Sequence, residues 1–394
     1  MTQETKKVQF VVKTSKHCNL RCRYCYEYAE LGNKNAIALA QIEKMFTNIA
    51  NYYQNLEFPI EIEFVWHGGE PLLQKPDFYW QVFDLQKKIF NYENIRIRNG
   101  VQTNLTLLDS QRLKLLKSGF DGVGVSLDLF GGLRVYQTGI ESQNKVLENI
   151  DKLTDANIDF GCISVLTKQN LDFIPEIYSF YREMNLSARI LPLFKGSFEN
   201  QHQGFEITAY EVLEAYKKLV DLWLADDKFV WISPIYEAIK QVIYHYSPNA
   251  PTSFYDKREW ESIYIVDVDG EVYSYADAYA ITHSHGNIFN QPLAALISSS
   301  QHQKIIREAE ERIQETCSQC KFFGSCSGYP IAEGNRQYNE INQDGSINCI
   351  VDKGIRQYIE YRLFEMGIID VERGTITLDK FNVNSQSSPS LAYI

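Results

Sequence analysis

Apolar and polar positions alternate with two different periods along the first half of this 394-residue chain, and the switch between them recurs. Residues 8–12 form an unbroken apolar run, as a strand buried on both faces does. Ile42, Met45, Phe46, Ile49 and Tyr53 then return at helical spacing. Ile60, Ile62, Phe64 and Trp66 alternate with Glu61, Glu63 and Val65, which predicts a strand whose two faces differ. Further strands are expected at 95–102, 122–127, 158–166 and 187–193, with helices between them, one N-capped by Asp109 and stopped at Gly119. Six strands separated by helices predict an α/β architecture of parallel βα units with right-handed crossovers, closing toward a partial (β/α)6 barrel. In such a barrel, ligands sit over the C-terminal ends of the strands.

Past residue 195 the rhythm changes. The stretch 196–255 reads as a helical connector, with Val212, Tyr216, Leu219 and Val220 on one face. Residues 263–268, the turn Asp269-Gly270 and residues 271–275 predict a hairpin. The region 317–349 is rich in Gly, Ser and Asn and has little periodicity, so something other than an apolar core must fix it. A last helix is expected at 355–366, before a polar tail at 382–390. The expected organisation is a barrel at 1–195, a connector at 196–255, a smaller cysteine-rich domain at 256–352, and a helix and tail at 353–394.

A hydrophobic content of 44% supports a sizeable core. The net charge of -11 argues against broad attraction to nucleic acid or to an anionic membrane, so neither is expected as a partner. The first apolar run is too short for a signal-peptide core or a membrane span, and a cytoplasmic protein is expected. Eight cysteines are too sparse for a secreted disulfide framework, and seven of them fall in two clusters, which points to metal or redox chemistry. The eighth, Cys162, lies in a strand-like run and reads as a small buried residue. His283 and His285 read as parts of a polar turn.

The first cluster is HCNLRCRYCYEY, holding Cys18, Cys22 and Cys25 directly after the first strand. A four-iron cluster has four metal corners and takes thiolate ligands, so three thiolates leave one iron open. This loop resembles that of the radical S-adenosylmethionine (SAM) superfamily: CxxxCxxC after the first strand, with the aromatic Tyr24 before the third cysteine. The resemblance implies a [4Fe-4S] cluster whose open iron chelates S-adenosyl-L-methionine, and a 5'-deoxyadenosyl radical that takes hydrogen from the substrate. A zinc knuckle is the alternative, although its fourth ligand would have to be His17, which adjoins Cys18 and would need to fold back.

Three further segments resemble the family's SAM contacts. Gly68, Gly69, Glu70 and Pro71 match the GGEP segment that receives the SAM amino group, where glycines admit close backbone approach and a carboxylate suits an ammonium. Gln102, Thr103 and Asn104 end the third strand, and Ser126 and Asp128 close the fourth; both segments look like ribose and carboxylate contacts. The family's SLDG is broken here by Leu129, and strand-end capping is the other role open to Asp128. Arg134 is a candidate for the SAM carboxylate, a solvated arginine in a Gly-rich loop being the other reading.

The second cluster, Cys317, Cys320, Cys326 and Cys349, resembles the C-terminal SPASM extension of radical SAM peptide-modifying enzymes. Two positions where that pattern has cysteine are Tyr275 and Pro330 here, and none lies between Cys162 and Cys317. In the family the missing residues serve a first auxiliary cluster. The resemblance therefore implies one auxiliary [4Fe-4S] cluster on the four remaining cysteines, with zinc as the competing occupant. Asp277 lies near where sulfatase-maturing relatives carry a general base.

These features together predict a radical SAM enzyme that matures a ribosomally made precursor peptide by forming a side-chain crosslink, a C-C bond or a thioether. The alternatives are an anaerobic sulfatase-maturing enzyme that makes formylglycine, a peptide epimerase or excision enzyme, and a non-catalytic Fe-S or zinc scaffold. Expected partners are the peptide, a flavodoxin or ferredoxin reductant and, because the first strand begins at Val8, a separate leader-recognition protein.

Overall fold

Strand β2 (Ile60–His67) shows why the first half folds as its pattern foretells. One face presents Ile60, Ile62, Phe64 and Trp66, all fully buried against helices α1 (Leu39–Tyr53) and α2 (Pro76–Ile89). The Phe46 and Phe64 rings lie 4.8 Å apart, and Trp66 meets Tyr79 edge-on at 6.0 Å. Each such side chain contributes roughly 1.5–3 kcal/mol by leaving water. The other face carries Glu61 and Glu63, which meet Lys7 and Gln9 of β1 (Lys6–Lys13) and Arg96 of β3 (Ile95–Thr103).

The computed structural model describes residues 5–194, 203–274, 281–334, 338–343, 346–370 and 373–376. Strands β1, β2, β3, β4 (Gly122–Ser126), β5 (Phe160–Leu166) and β6 (Ala188–Pro192) pair in parallel in chain order. Helices α3 (Ser110–Ser118), α4 (Gln143–Asp155) and α5 (Ile174–Glu183) make the later crossovers. All six expected strands are present, with ends shifted by a residue or two, and Asp109 caps α3 by accepting from the Arg112 N–H at 2.8 Å.

Two features of the sheet go beyond the sequence pattern. After α6 (Ala209–Ala225), the stretch read as a connector supplies a seventh parallel strand, β7 (Ile232–Ser233), before α7 (Ile235–His245). Two residues are too few to display a period. The expected hairpin forms as β8 (Ile263–Val266) and β9 (Glu271–Ser274), yet β8 also pairs in parallel with β1, and β9 with β10 (Gly286–Asn287). Among the described residues one sheet of ten strands results, ordered β10-β9-β8-β1-β2-β3-β4-β5-β6-β7. Gly270 turns the hairpin at φ +94°, where a Cβ would also stand 2.4 Å from the Phe289 ring.

The rest of the chain packs on this frame through α8 (Leu293–Ile297), α9 (Ser300–Thr316), α10 (Tyr329–Ala332), the short pair β11 (Glu340–Ile341) and β12 (Ile347–Asn348), and α11 (Val351–Glu365). Helix α11 lies against α6 and α7. The C-terminal third therefore engages the frame at two places, its hairpin at β1 and its last long helix at α6 and α7. Among the described residues no helix is long and apolar enough to cross a membrane.

Candidate active site

The loop joining β1 to α1 is pinned from three sides, which is how a segment with few apolar residues keeps one shape. Thr14 donates its N–H to the His67 carbonyl at the end of β2 (2.9 Å), and Ile37 donates back to Thr14. Arg21 and Arg23 donate to Val135 and Leu133 of the β4–α4 loop at 2.7 and 2.9 Å. Cys18 and Cys22 are buried here and Cys25 is half-buried. Sulfur acceptors already face donors: Leu20 N–H and Asn104 Nδ2 reach Cys18 Sγ at 3.4 and 3.8 Å, and Arg134 Nη1 reaches Cys22 Sγ at 3.8 Å.

Burial pushes the Cys18 and Cys25 thiols up to about 12, with Glu70 adding to the first and Cys22 to the second; burial likewise raises Cys22. Cys22 raises both Cys18 and Cys25, and a cationic iron centre would supply the charge that makes such thiolates tolerable. The residues thus fit a cluster held by Cys18, Cys22 and Cys25. His17 turns Nδ1 toward the Leu31 carbonyl at 3.1 Å, so that nitrogen is engaged away from any zinc knuckle.

Gly68 and Gly69 are required by backbone, not by bulk. A Cβ on Gly68 would stand 2.2 Å from the Ser15 carbonyl oxygen, and one on Gly69 2.3 Å from that of His17. Gly69 and Glu70 donate to those same two carbonyls, at 2.8 and 3.0 Å. The GGEP segment is therefore a strap laid along the approach to the cysteine loop. Glu70 is buried, and its carboxylate accepts from Leu72 N–H (2.9 Å), Thr103 Oγ1 (2.7 Å) and Asn104 N–H (2.7 Å). Of the roughly four acceptor positions of a carboxylate, about one remains. Pro71 is buried and accepts from Tyr79 through its carbonyl.

Gln102, Thr103 and Asn104 gather at the C-terminal end of β3. Gln102 donates to Ser126 Oγ at 2.8 Å, lying over Gly124, whose missing Cβ would be 2.0 Å from Gln102 Oε1. Asn104 donates to Asn19 within the cysteine loop. Asp128, open from its sequence to ligand contact or to strand-end capping, is engaged within the protein. Its side chain is fully buried, accepting from Val165 N–H (2.7 Å) through one oxygen and from Tyr24 OH and Arg134 Nε (2.8 Å) through the other. A buried carboxylate must be satisfied internally, and here that satisfaction orients Arg134 and Tyr24. For Arg134, burial alone would lower the pKa, but Tyr24 and Asp128 outweigh it and the guanidinium stays charged.

Sequence reasoning missed a second tie on this loop. Lys13 closes β1 with its ammonium buried between Glu27, just past Cys25, and Asp267 at 3.8 Å; Lys16 reaches Asp267 at 3.5 Å. Asp267 follows β8, so the hairpin grips the cysteine loop. The only signal was a lysine ending an apolar run. His285, read as part of a polar turn, is instead buried, stacked 4.4 Å from His302 and 3.2 Å from Ser274 Oγ. Cys162 is buried as expected. Asp277 and Tyr275 lie outside the described residues.

The second cysteine group walls a cavity of about 220 Å³ lined by Cys317, Cys320, Cys326 and Cys349, with Pro330 and Arg356 also on its wall. A water needs only about 10–15 Å³ of such space, so this one suits a group of several atoms. Among the described residues no three His, Cys, Asp or Glu side chains close on a single-ion site. Burial pushes Cys317 and Cys349 up to about 12, again calling for a cationic occupant. The four thiols fit an iron–sulfur cluster with no iron left open.

The profile of the Radical SAM superfamily matches residues 12–181. A cysteine-type anaerobic sulfatase-maturating enzyme of Clostridium perfringens is 23% identical over 368 residues, covering 88% of this chain and 94% of that protein. An uncharacterised protein of Methanocaldococcus jannaschii is 30% identical over 219 residues, 54% of this chain and 69% of that one. The solved structure described as native anSMEcpe with bound AdoMet and Cp18Cys peptide shares the fold at a TM-score of 0.70 and 19% identity, over 91% of this chain and 97% of that one.

Proposed function

Because this chain belongs to the radical SAM superfamily, we propose that it is an enzyme that oxidises a side chain of a peptide or protein by SAM-derived radical chemistry. The observation that carries this reading is the gathering of Cys18, Cys22 and Cys25 at the C-terminal end of β1, under a GGEP strap and beside Asn104 and Arg134. With a four-iron cluster on these thiolates, one electron from a flavodoxin- or ferredoxin-type reductant would let SAM, split to methionine, supply a 5'-deoxyadenosyl radical able to take a hydrogen atom from a substrate carbon.

The chain's own residues do the rest. The three thiolates hold the cluster, and N–H donors from Leu20, Asn104 and Arg134 lower the cost of their charge. The acceptor position left on Glu70 suits the SAM ammonium, and Arg134, held by Asp128, suits its carboxylate. Gln102 and Ser126 present polar groups over the strand ends, where a ribose would be met. After hydrogen abstraction the substrate must give up one more electron and a proton to reach a two-electron oxidised product. Cys317, Cys320, Cys326 and Cys349 would hold a second cluster able to accept that electron. Asp277 is the candidate for the proton.

Two products fall within this chemistry. Formylglycine is favoured by the sulfatase-maturating relatives, which align along most of the chain, and the peptide in the matched solved structure supports a peptide substrate. A side-chain crosslink in a ribosomally made peptide is supported at the level of substrate class, and Tyr275 and Pro330, at positions of first-cluster ligands, favour a chemistry distinct from that of the sulfatase maturases. Anaerobic incubation of reconstituted protein with dithionite, SAM and a sulfatase-type peptide decides between them. An aldehyde captured by a hydrazide reports formylglycine. Loss of two hydrogens without a reactive aldehyde, in a peptide encoded beside this gene, reports the crosslink. Absence of 5'-deoxyadenosine from cluster-loaded protein with either peptide contradicts the whole reading.

A further inference from the structure

The cavity walled by the four C-terminal cysteines carries a charge that the ligand set leaves unused. Arg356, on α11 seven residues past Cys349, is 5% exposed and lines both this cavity and a larger one of about 420 Å³ behind it. Its guanidinium is gripped from two elements. Nε and Nη2 donate to Gln241 Oε1 on α7, the first at 2.9 Å, while Nη1 donates to the Asp352 carbonyl and, at 3.2 Å, to its carboxylate. A planar fork fixed in this way cannot swing out to water.

The surrounding charges make the cation matter. Asp352 lines the same cavity and leaves one buried oxygen without a hydrogen-bond partner, which alone would oppose further negative charge on the cysteines. Lys353 also lines the cavity but is exposed, so water and salt screen it. A cluster bound by four thiolates is anionic and becomes more so on reduction, and a fixed cation in a low-dielectric wall favours the more negative state.

We propose that Arg356 is a positioning residue that raises the reduction potential of the centre held by Cys317, Cys320, Cys326 and Cys349, and so makes it the better acceptor of the substrate's second electron. The proposal rests on the reading that these cysteines hold an iron–sulfur cluster. It differs from simple bracing, which would change cluster occupancy and leave the potential of intact clusters alone.

The test is an EPR-monitored redox titration of the full chain carrying Cys18→Ala, Cys22→Ala and Cys25→Ala, so that only the second centre reports. In that background Arg356→Gln is expected to shift the midpoint to more negative potential, Arg356→Lys to recover part of the shift, and Gln241→Leu to give a smaller shift of the same sign. An unchanged or more positive midpoint in Arg356→Gln overturns the proposal. Should Arg356→Gln fail to hold a cluster, an unchanged midpoint in Gln241→Leu overturns it equally. Wild-type protein with correct iron loading at the first site and no iron–sulfur signal at the second refutes the cluster reading itself, separately from the role of Arg356.

Discussion

Glu63 on β2 has one carboxylate oxygen 2.7 Å from Gln9 Nε2 and the other buried with no hydrogen-bond partner. Burial pushes its pKa up to about 7, against the partial opposition of Gln9 and Arg98. The folded state therefore binds this proton more tightly than the unfolded state, whose glutamates titrate near 4.3. The stabilisation is full below about pH 4 and is lost as pH rises through 7. Glu63→Gln should raise unfolding free energy by about 1–3 kcal/mol at pH 8 and by close to nothing at pH 4, as read by denaturant titration at both. Gly69→Ala tests the strap instead: with two carbonyl oxygens within 2.4 Å of the new methyl, the cysteine loop must shift. A loss of about 2–4 kcal/mol is expected, with reduced iron uptake at the first site. At this scale the sequence was legible wherever chemistry dictates residue type, as at Cys18, Cys22 and Cys25. It was less so where packing assigns the role. Asp128 was visible as a residue, but only the fold shows its carboxylate turned inward to Arg134 and Tyr24. Arg356 looked like any helical arginine.

Elements with a long period were legible, and those without one were not. Strand β2 and helix α3 announce themselves through alternation and an aspartate cap, whereas β7 has only two residues and borrows its geometry from β6. The polar segment before β8 is held by a buried network that no pattern signals. Lys257 bridges Glu261 and Glu333 at 2.9 and 2.8 Å, and Glu261 reaches His302 of α9 and Ser274 of β9. Replacing Lys257 by Met would leave two buried carboxylates without their cation, at an expected cost of about 3–5 kcal/mol in thermal or denaturant unfolding. Adding Glu261→Gln should recover part of that loss, and no recovery would mean that charge pairing is not what the network provides.

At the scale of the whole molecule, the C-terminal third clasps the frame by β8 at β1 and by α11 at α6 and α7. The clasp reaches the chemistry through Asp267, which meets Lys13 and Lys16 on the two arms of the cysteine loop's first turn. Asp267→Asn should weaken folding by about 1–3 kcal/mol and lower iron at the first site while leaving the second site loaded, as iron and sulfide counts with and without Cys349→Ala would show. The partial barrel was legible from six strand periods, but the joining of the hairpin to β1 was not, because register between distant segments is written in no local pattern. The most direct measurement of the central claim is the EPR spectrum of dithionite-reduced, anaerobically reconstituted protein before and after addition of SAM. One of two cluster signals is expected to change on addition, 5'-deoxyadenosine to form, and both responses to vanish in Cys22→Ala. A spectrum indifferent to SAM, or undiminished 5'-deoxyadenosine from Cys22→Ala, would contradict the claim.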